Sequence, residues 1–317
     1  MPLLLYPVLP YDFALSCQVF SKGDPQIRRF QHGIFWQVIR VNGRPMLVQA
    51  MDVGEAEEPV LAVNILSGNQ IGEEEQKEAS KRVFALLSLP DDLDAFFRAV
   101  STDPQMTEIS KGFYGLRAPT SGSIFEALVT SVIEQQISVH VARVLESRLV
   151  KQFGERLEVA GKTYFAYPEP EDLAGGKIEE FRACGLSARK GEFIRGVAEM
   201  VAEGTLDLES LRKLSDSGQV IERLCDIRGI GRWTAEFVLL RGLHRLEIFP
   251  ADDLGVKRAI ARIYCPGHTI SADQARAIAE RWGDWKGLAA YYLLTAEHIE
   301  KQGRIQYSRT RRGIRSV

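Results

Sequence analysis

Two short segments of this 317-residue chain carry the residues best suited to chemistry. In the first, Arg228-Gly229-Ile230-Gly231 joins two apolar-periodic stretches, with Val220, Ile221 and Leu224 before it and Arg232-Trp-Thr-Ala-Glu-Phe-Val-Leu-Leu240 after it. Two glycines around one apolar residue let the backbone turn sharply and approach another molecule closely. The N–H groups of Gly229, Gly231 and the second helix start then point outward together. Such a helix start holds a phosphate through its unpaired donors and its dipole. A bare Gly-Ile-Gly is equally explained by a plain helix–turn–helix, but the longer pattern Leu224-x-x-Ile227-x-Gly229-Ile-Gly231-x-x-Thr234-Ala235 is more specific and favours phosphate binding. In the second segment, Phe249-Pro-Ala-Asp-Asp-Leu254, Pro250 stiffens the entry and a helix over 254–263 is predicted to begin directly after Asp253. The ordinary role of Asp253 is to cap that helix. A carboxylate there would also stand beside a nucleotide held at the hairpin. It could then stabilise the oxocarbenium character that a sugar acquires as its glycosidic bond breaks, and orient the attacking water.

The elements that must position these residues are mostly helical. Residues 12–66 read as strands, with Asn42-Gly43 between Ile34–Val41 and Arg44–Ala50 as a two-residue hairpin signal. Beyond Gly72 the pattern turns to helix and is predicted to stay so. Ser123-Ile-Phe-Glu126 has the form of a capping box, and Phe125, Leu128, Val129, Val132 and Ile133 behind it form one core-facing stripe. Ser138 is placed to cap the next helix, and Ser271-Ala-Asp-Gln274 forms a second box.

Composition removes several function classes. No stretch approaches the roughly 18 to 20 apolar residues that span a membrane, and the proline-broken N-terminus does not read as a secretory leader. A cytoplasmic monomer is expected. Cys17, Cys184, Cys225 and Cys265 lie far apart, and His32, His140, His244, His268 and His298 show no ligand spacing, so neither a transition metal nor an iron–sulfur cluster is expected. A net charge of −2 lacks the basic footprint of a protein that coats nucleic acid. One local exception is the acid-free run from Lys301 to Arg315, whose default reading is a solvated tail.

The run GIGRWTAEF…FPADDLGVKRAI resembles the helix-hairpin-helix, Gly/Pro loop and aspartate motif of the DNA glycosylase superfamily, and more narrowly its 3-methyladenine DNA glycosylase II branch. Pro10-Tyr-Asp-Phe13, Glu134-Gln-Gln-Ile-Ser138, Gly185-Leu-Ser187 with Lys190, and Glu280-Arg-Trp-Gly-Asp-Trp285 extend the resemblance over nearly the whole chain. It implies a mainly α fold of two helical domains, 113–244 with the hairpin and 89–112 plus 245–317 with the aspartate. An α+β domain like half of the TATA-binding protein, 1–88, would precede them. It also implies a partner, double-stranded DNA containing a damaged base, and no cofactor; a monovalent cation at the hairpin stays open.

The same resemblance assigns roles. Asp253 is the expected catalytic group. Trp233 stands where bifunctional relatives carry a Schiff-base lysine, so a monofunctional enzyme that leaves an abasic site is implied. Trp233, Phe237, Trp285 and Leu254 match base-pocket positions, although spacing alone reads Trp233 and Phe237 as core; Leu254 replaces an aromatic of some relatives. An aromatic pocket would attract a cationic alkylated purine by about 0.5 to 2 kcal/mol. Gln136 matches the wedge that fills the gap left by a flipped base, against an ordinary role as a polar helix end. Arg228, Gly229, Ile230, Gly231, Arg232 and Thr234 form the expected phosphate-binding hairpin, with Lys257, Arg189 and Lys190 as further candidate contacts. Removal of hypoxanthine or 8-oxoguanine on the same scaffold, or non-catalytic DNA binding, are the competing functions.

Overall fold

The computed structural model describes residues 2–55, 58–66 and 71–301; the basic run beyond Lys301 lies outside them. An antiparallel sheet comes first, from β1 (Leu3–Leu5), β2 (Arg28–Gln31), β3 (Ile34–Val41), β4 (Arg44–Asp52) and β5 (Leu61–Leu66), in the order β1-β5-β4-β3-β2. Asn42 and Gly43 both take positive φ, 51° and 76°, and pair Val41 with Arg44 as a tight hairpin requires. Alternation along these strands gives the sheet two faces. Phe35, Met46, Val48 and Val63 pack with α1 (Phe13–Phe20) and α2 (Glu73–Leu86) on one of them. Residues 13–20, expected as strand, are helical because Asp12 caps them, its Oδ1 accepting the Leu15 N–H at 2.8 Å.

The chain continues through α3 (Leu93–Ala99), α4 (Pro104–Gly112), α5 (Ile124–Glu134) and α6 (Val139–Phe153). The helical run is then broken by β6 (Arg156–Val159) and β7 (Lys162–Phe165), a hairpin that the sequence reading did not foresee. Its reason is the sheet's second face, where Val38 and Leu47 need cover and receive Tyr164 and Ala166. The remaining helices are α7 (Pro170–Ala174), α8 (Ile178–Ala183), α9 (Ala188–Ala202), α10 (Ser217–Cys225), α11 (Arg232–Gly242), α12 (Leu254–Tyr264), α13 (Ala272–Ala279) and α14 (Lys286–Lys301).

Two helical cores result. One is built on α5, α9, α10 and α11 around residues such as Val129, Ile194 and Leu239. The other joins α3 and α4 to α12–α14 around Phe96, Val256, Trp282 and Leu293. Fully buried Arg117 ties the second to the N-terminal unit, its guanidinium donating to the carbonyls of Val8, Pro10 and Ser88.

The expected box at Ser123 forms only in part. Ser123 Oγ accepts the Glu126 N–H at 3.0 Å, but Glu126 Oε2 turns to the Gly122 N–H at 3.1 Å, and Oε1 lies 3.8 Å from Arg28 of β2. The carboxylate therefore joins sheet to helix rather than closing a box. Burial pushes the Glu126 carboxyl up to about 7 against the opposing pull of Arg28. A carboxyl raised in the folded state binds its proton more tightly there. Its stabilising contribution is complete below its ordinary value of 4.5 and is lost as pH rises through about 7. Glu126→Gln is expected to flatten the fall in melting temperature across that window; an unchanged slope would contradict the assignment.

Candidate active site

The hairpin between α10 and α11 is seated by its apolar residues. Ile227 and Ile230 are buried in the first helical core, so Ile230 anchors the turn rather than facing a ligand. Gly229 has a φ of +92°, and a Cβ there would lie 2.4 Å from the Phe193 ring. Only glycine meets both conditions. The Gly229 carbonyl accepts from Gln135 Nε2 at 3.0 Å, and the same amide donates to Thr234 Oγ1 at 3.0 Å, lashing the end of α5 to the turn. Gly231 caps α11 without a side chain, is exposed, and has open space where a Cβ would stand. The first N–H groups of α11 are thus left for an outside acceptor. The Arg228 side chain is exposed, and Arg232 Nε pairs with Glu236 at 2.9 Å.

Asp253 caps α12, as its position before Leu254 implies, and Oδ1 accepts the Val256 N–H at 2.9 Å. Its other oxygen, Oδ2, accepts the indole N–H of Trp233 at 3.0 Å. Trp233 in turn packs on Phe237, one turn along α11, with ring centroids 4.7 Å apart and planes tilted by 55°. Gly231, Trp233, Thr234, Phe237, Asp253 and Leu254 line a cleft of about 1290 Å³ between the two helical cores and the sheet unit. Gln136 lies on the same cleft, exposed, in the left-handed region at φ 58°.

Residues 129–284 match the HhH-GPD superfamily of base excision DNA repair proteins. A DNA-3-methyladenine glycosylase of Bacillus subtilis is 30% identical over 263 residues, which is 83% of this chain and 86% of that protein. The chain belongs to this superfamily, in its DNA-3-methyladenine glycosylase branch. DNA-3-methyladenine glycosylase 2 of Escherichia coli is 32% identical over 58% of this chain and 61% of its own length. The solved 3-methyladenine DNA glycosylase of Archaeoglobus fulgidus superposes with a TM-score of 0.84 at 29% identity, covering 97% of this chain and all of the other. The protein is a DNA glycosylase, mainly helical, with a small antiparallel sheet at its N-terminus.

Not every residue expected at the glycosylase site is there. Trp285 does not line the cleft; it packs in the second helical core, 6.1 Å from the Phe96 ring, where the apolar surface of α3 requires a partner. Lys190 is a helix cap rather than a phosphate contact, its Nζ donating to the carbonyls of Ile133 and Gln135 at 2.7 Å each. Leu254 is 74% exposed at the cleft edge. Conversely, Arg143, Arg241 and Tyr291, to which no sequence motif pointed, stand on the cleft wall with Glu134. Arg241 was accessible to periodicity, since 233, 237 and 241 fall on one face of α11.

Because Gly229 combines positive φ with close approach to Phe193, Gly229→Ala is expected to cost about 1–3 kcal/mol of stability. Urea denaturation of the variant measures it, and a midpoint equal to the parent's would contradict this account of the turn.

Proposed function

We propose that this glycosylase rotates alkylated bases of the 3-methyladenine type out of duplex DNA and hydrolyses the N-glycosidic bond with Asp253, leaving an abasic site. The observation that carries the reading is the Asp253 carboxylate, oriented by two N–H donors at the mouth of the cleft and next to the open start of α11. A phosphate gripped by the α11 N–H groups would bring its sugar beside that carboxylate. Each Asp253 oxygen keeps a further lone pair for the developing oxocarbenium ion or for water. An alkylated purine is a good leaving group, so electrostatic help to the sugar is the main requirement.

Flipping costs a few kcal/mol and least at a damaged pair. The exposed, left-handed Gln136 supports the wedge role, since that backbone geometry displays its side chain at the mouth. Trp233, in place of a lysine, supports a monofunctional reaction. The three apolar cores support a division into 1–88, 113–244, and 89–112 with 245–317, except that Phe113 and Leu116 pack with the last of these. The five-stranded sheet with two helices on one face is in keeping with a TATA-binding-protein-like N-terminal domain. A relative from Schizosaccharomyces pombe, 26% identical with a TM-score of 0.56, has been solved with abasic DNA, which accords with damaged DNA as the partner. We read the protein as a cytoplasmic monomer acting at the nucleoid.

Asp253→Asn should retain binding to lesion-containing duplex while single-turnover base release falls by orders of magnitude; unchanged release would sink the catalytic assignment. Borohydride added during turnover should trap no protein–DNA adduct. A trapped adduct would mean a lyase and refute the monofunctional reading.

A further inference from the structure

The bond between Trp233 and Asp253 has a parallel one residue earlier in each segment. Arg232 precedes Trp233, Asp252 precedes Asp253, and the two are joined through Glu236 of α11 and Arg276 of α13. Arg232 Nε donates to Glu236 Oε1 at 2.9 Å, and Arg276 Nη2 lies 3.5 Å from the same oxygen. Arg276 Nη2 also donates to Asp252 Oδ2 at 2.6 Å. Ala275 and Ala279 seat α13 in the second helical core, so these four side chains form a second bridge from α11 to that core.

An exposed ion pair contributes little, but this bridge is centred on a buried acid. The Glu236 side chain is 2% exposed, and its Oε2 has no hydrogen-bond partner among the described residues. The carboxylate therefore relies on Oε1, and Oε1 on the two arginines. Burial pushes the Glu236 carboxyl up, while Arg232 and Arg276 pull it back. Taking a cation away from a buried acid leaves its charge uncompensated, a larger penalty than breaking a surface pair. Arg276 is the more enclosed of the two cations, its side chain 28% exposed against 60% for Arg232.

The bridge reaches Asp253 through a short turn. The Ala251 N–H donates to the Phe249 carbonyl at 2.8 Å and the Asp253 N–H to the Pro250 carbonyl at 3.1 Å, while Phe249 and Ala251 are buried in the second core. Within this turn the Asp252 side chain is the tie to α13, and the Asp253 side chain is the tie to α11 and α12. A shift at Asp252 is therefore passed to its neighbour. Among the described residues, neither Glu236 nor Arg276 lines the cleft. Their route to the reaction runs through Asp253.

We propose that Arg276, anchored by Glu236, is a positioning residue for base release: by holding Asp252 it fixes the turn that presents the Asp253 carboxylate to the flipped sugar. The assignment rests on the reading of Asp253 as the catalytic group. Arg276 itself touches no reacting atom.

The test measures single-turnover release of 3-methyladenine from methylated duplex DNA and, separately, affinity for a duplex carrying a neutral tetrahydrofuran abasic-site analogue. The proteins are the full-length parent, Arg276→Ala, Arg276→Lys and Glu236→Gln, each also combined with Asp253→Asn. Arg276→Ala should slow release about ten-fold or more, since a displacement of about 1 Å at a reacting group can cost about a hundred-fold, while affinity for the analogue holds. Arg276→Lys should recover part of the loss, because an ammonium keeps the charge but not the fork that reaches both carboxylates. Glu236→Gln, which keeps an acceptor for the two arginines, should show a smaller loss. In the Asp253→Asn background Arg276→Ala should add nothing, because the group it positions is already gone. Should Arg276→Ala melt below the assay temperature, Arg276→Lys and Glu236→Gln carry the same comparison. A rate equal to the parent's, an equal further loss in the Asp253→Asn background, or a loss of affinity that matches the loss of rate would overturn the positioning assignment and leave the catalytic one standing. If Asp253→Asn alone releases the base at the parent's rate, both assignments fall.

Discussion

Asp253 has two oxygens, and the fold engages each from a different helical core. Oδ1 is held by the start of α12, whose Val256, Ala259 and Ile260 are buried in the second core. Oδ2 is held by Trp233 of α11, whose neighbours Ala235, Val238 and Leu239 are buried in the first. The carboxylate can keep both bonds only while the two cores keep one relative position. Gly287 enforces that position: its N–H reaches the Leu246 carbonyl at 2.7 Å, and a Cβ there would lie 2.5 Å from Leu240 and 2.6 Å from the Ile248 carbonyl. Gly242 allows the matching approach of α11 to α5, where a Cβ would sit 3.1 Å from Ala127. Interior packing thus fixes the orientation of one acid at a cleft mouth. Fixed orientation is what electrostatic stabilisation of a transition state demands, since no reorganisation is then needed during reaction.

Charge is handled locally. With a net charge of −2, broad attraction to a phosphate backbone is weak, and the exposed start of α11 supplies directed donors instead. Inside the cleft, Arg28, Arg143 and Arg241 face Glu126, Glu134 and Glu146, but burial disfavours the ionised forms of Glu126 and Glu146. Burial thus weakens the acidic side of this cluster. An aromatic cage for cations is therefore an incomplete description of the pocket, because one of its two central rings, Phe237, already carries Arg241.

The parts of this arrangement that depend on short sequence separation were legible beforehand. The turn at Asn42-Gly43, the hairpin glycines and the caps at Ser138, Asp253 and Ser271 are local statements about backbone conformation, and each took its expected form. What was not legible depends on distant partners. Trp233 and Asp253 are twenty residues apart, and spacing says nothing of an indole N–H directed at a carboxylate. Glu126 left its box for Arg28, nearly a hundred residues earlier. The β6–β7 hairpin exists because the sheet has a second apolar face, which no local pattern near 156–165 announces. Trp285 illustrates the limit of transferring roles by position, since here its ring is claimed by Phe96.

The central claim, that the hairpin holds DNA so that a flipped nucleotide meets Asp253, is tested most directly by a crystal structure of the protein with a duplex containing a non-cleavable abasic-site analogue. The account predicts a backbone phosphate on the N–H groups at the start of α11, Gln136 in the vacated stack, and the extrahelical sugar against the Asp253 carboxylate with its bond to Trp233 retained. A duplex seated away from the Gly229–Gly231 turn, or a flipped sugar out of reach of Asp253, would contradict it.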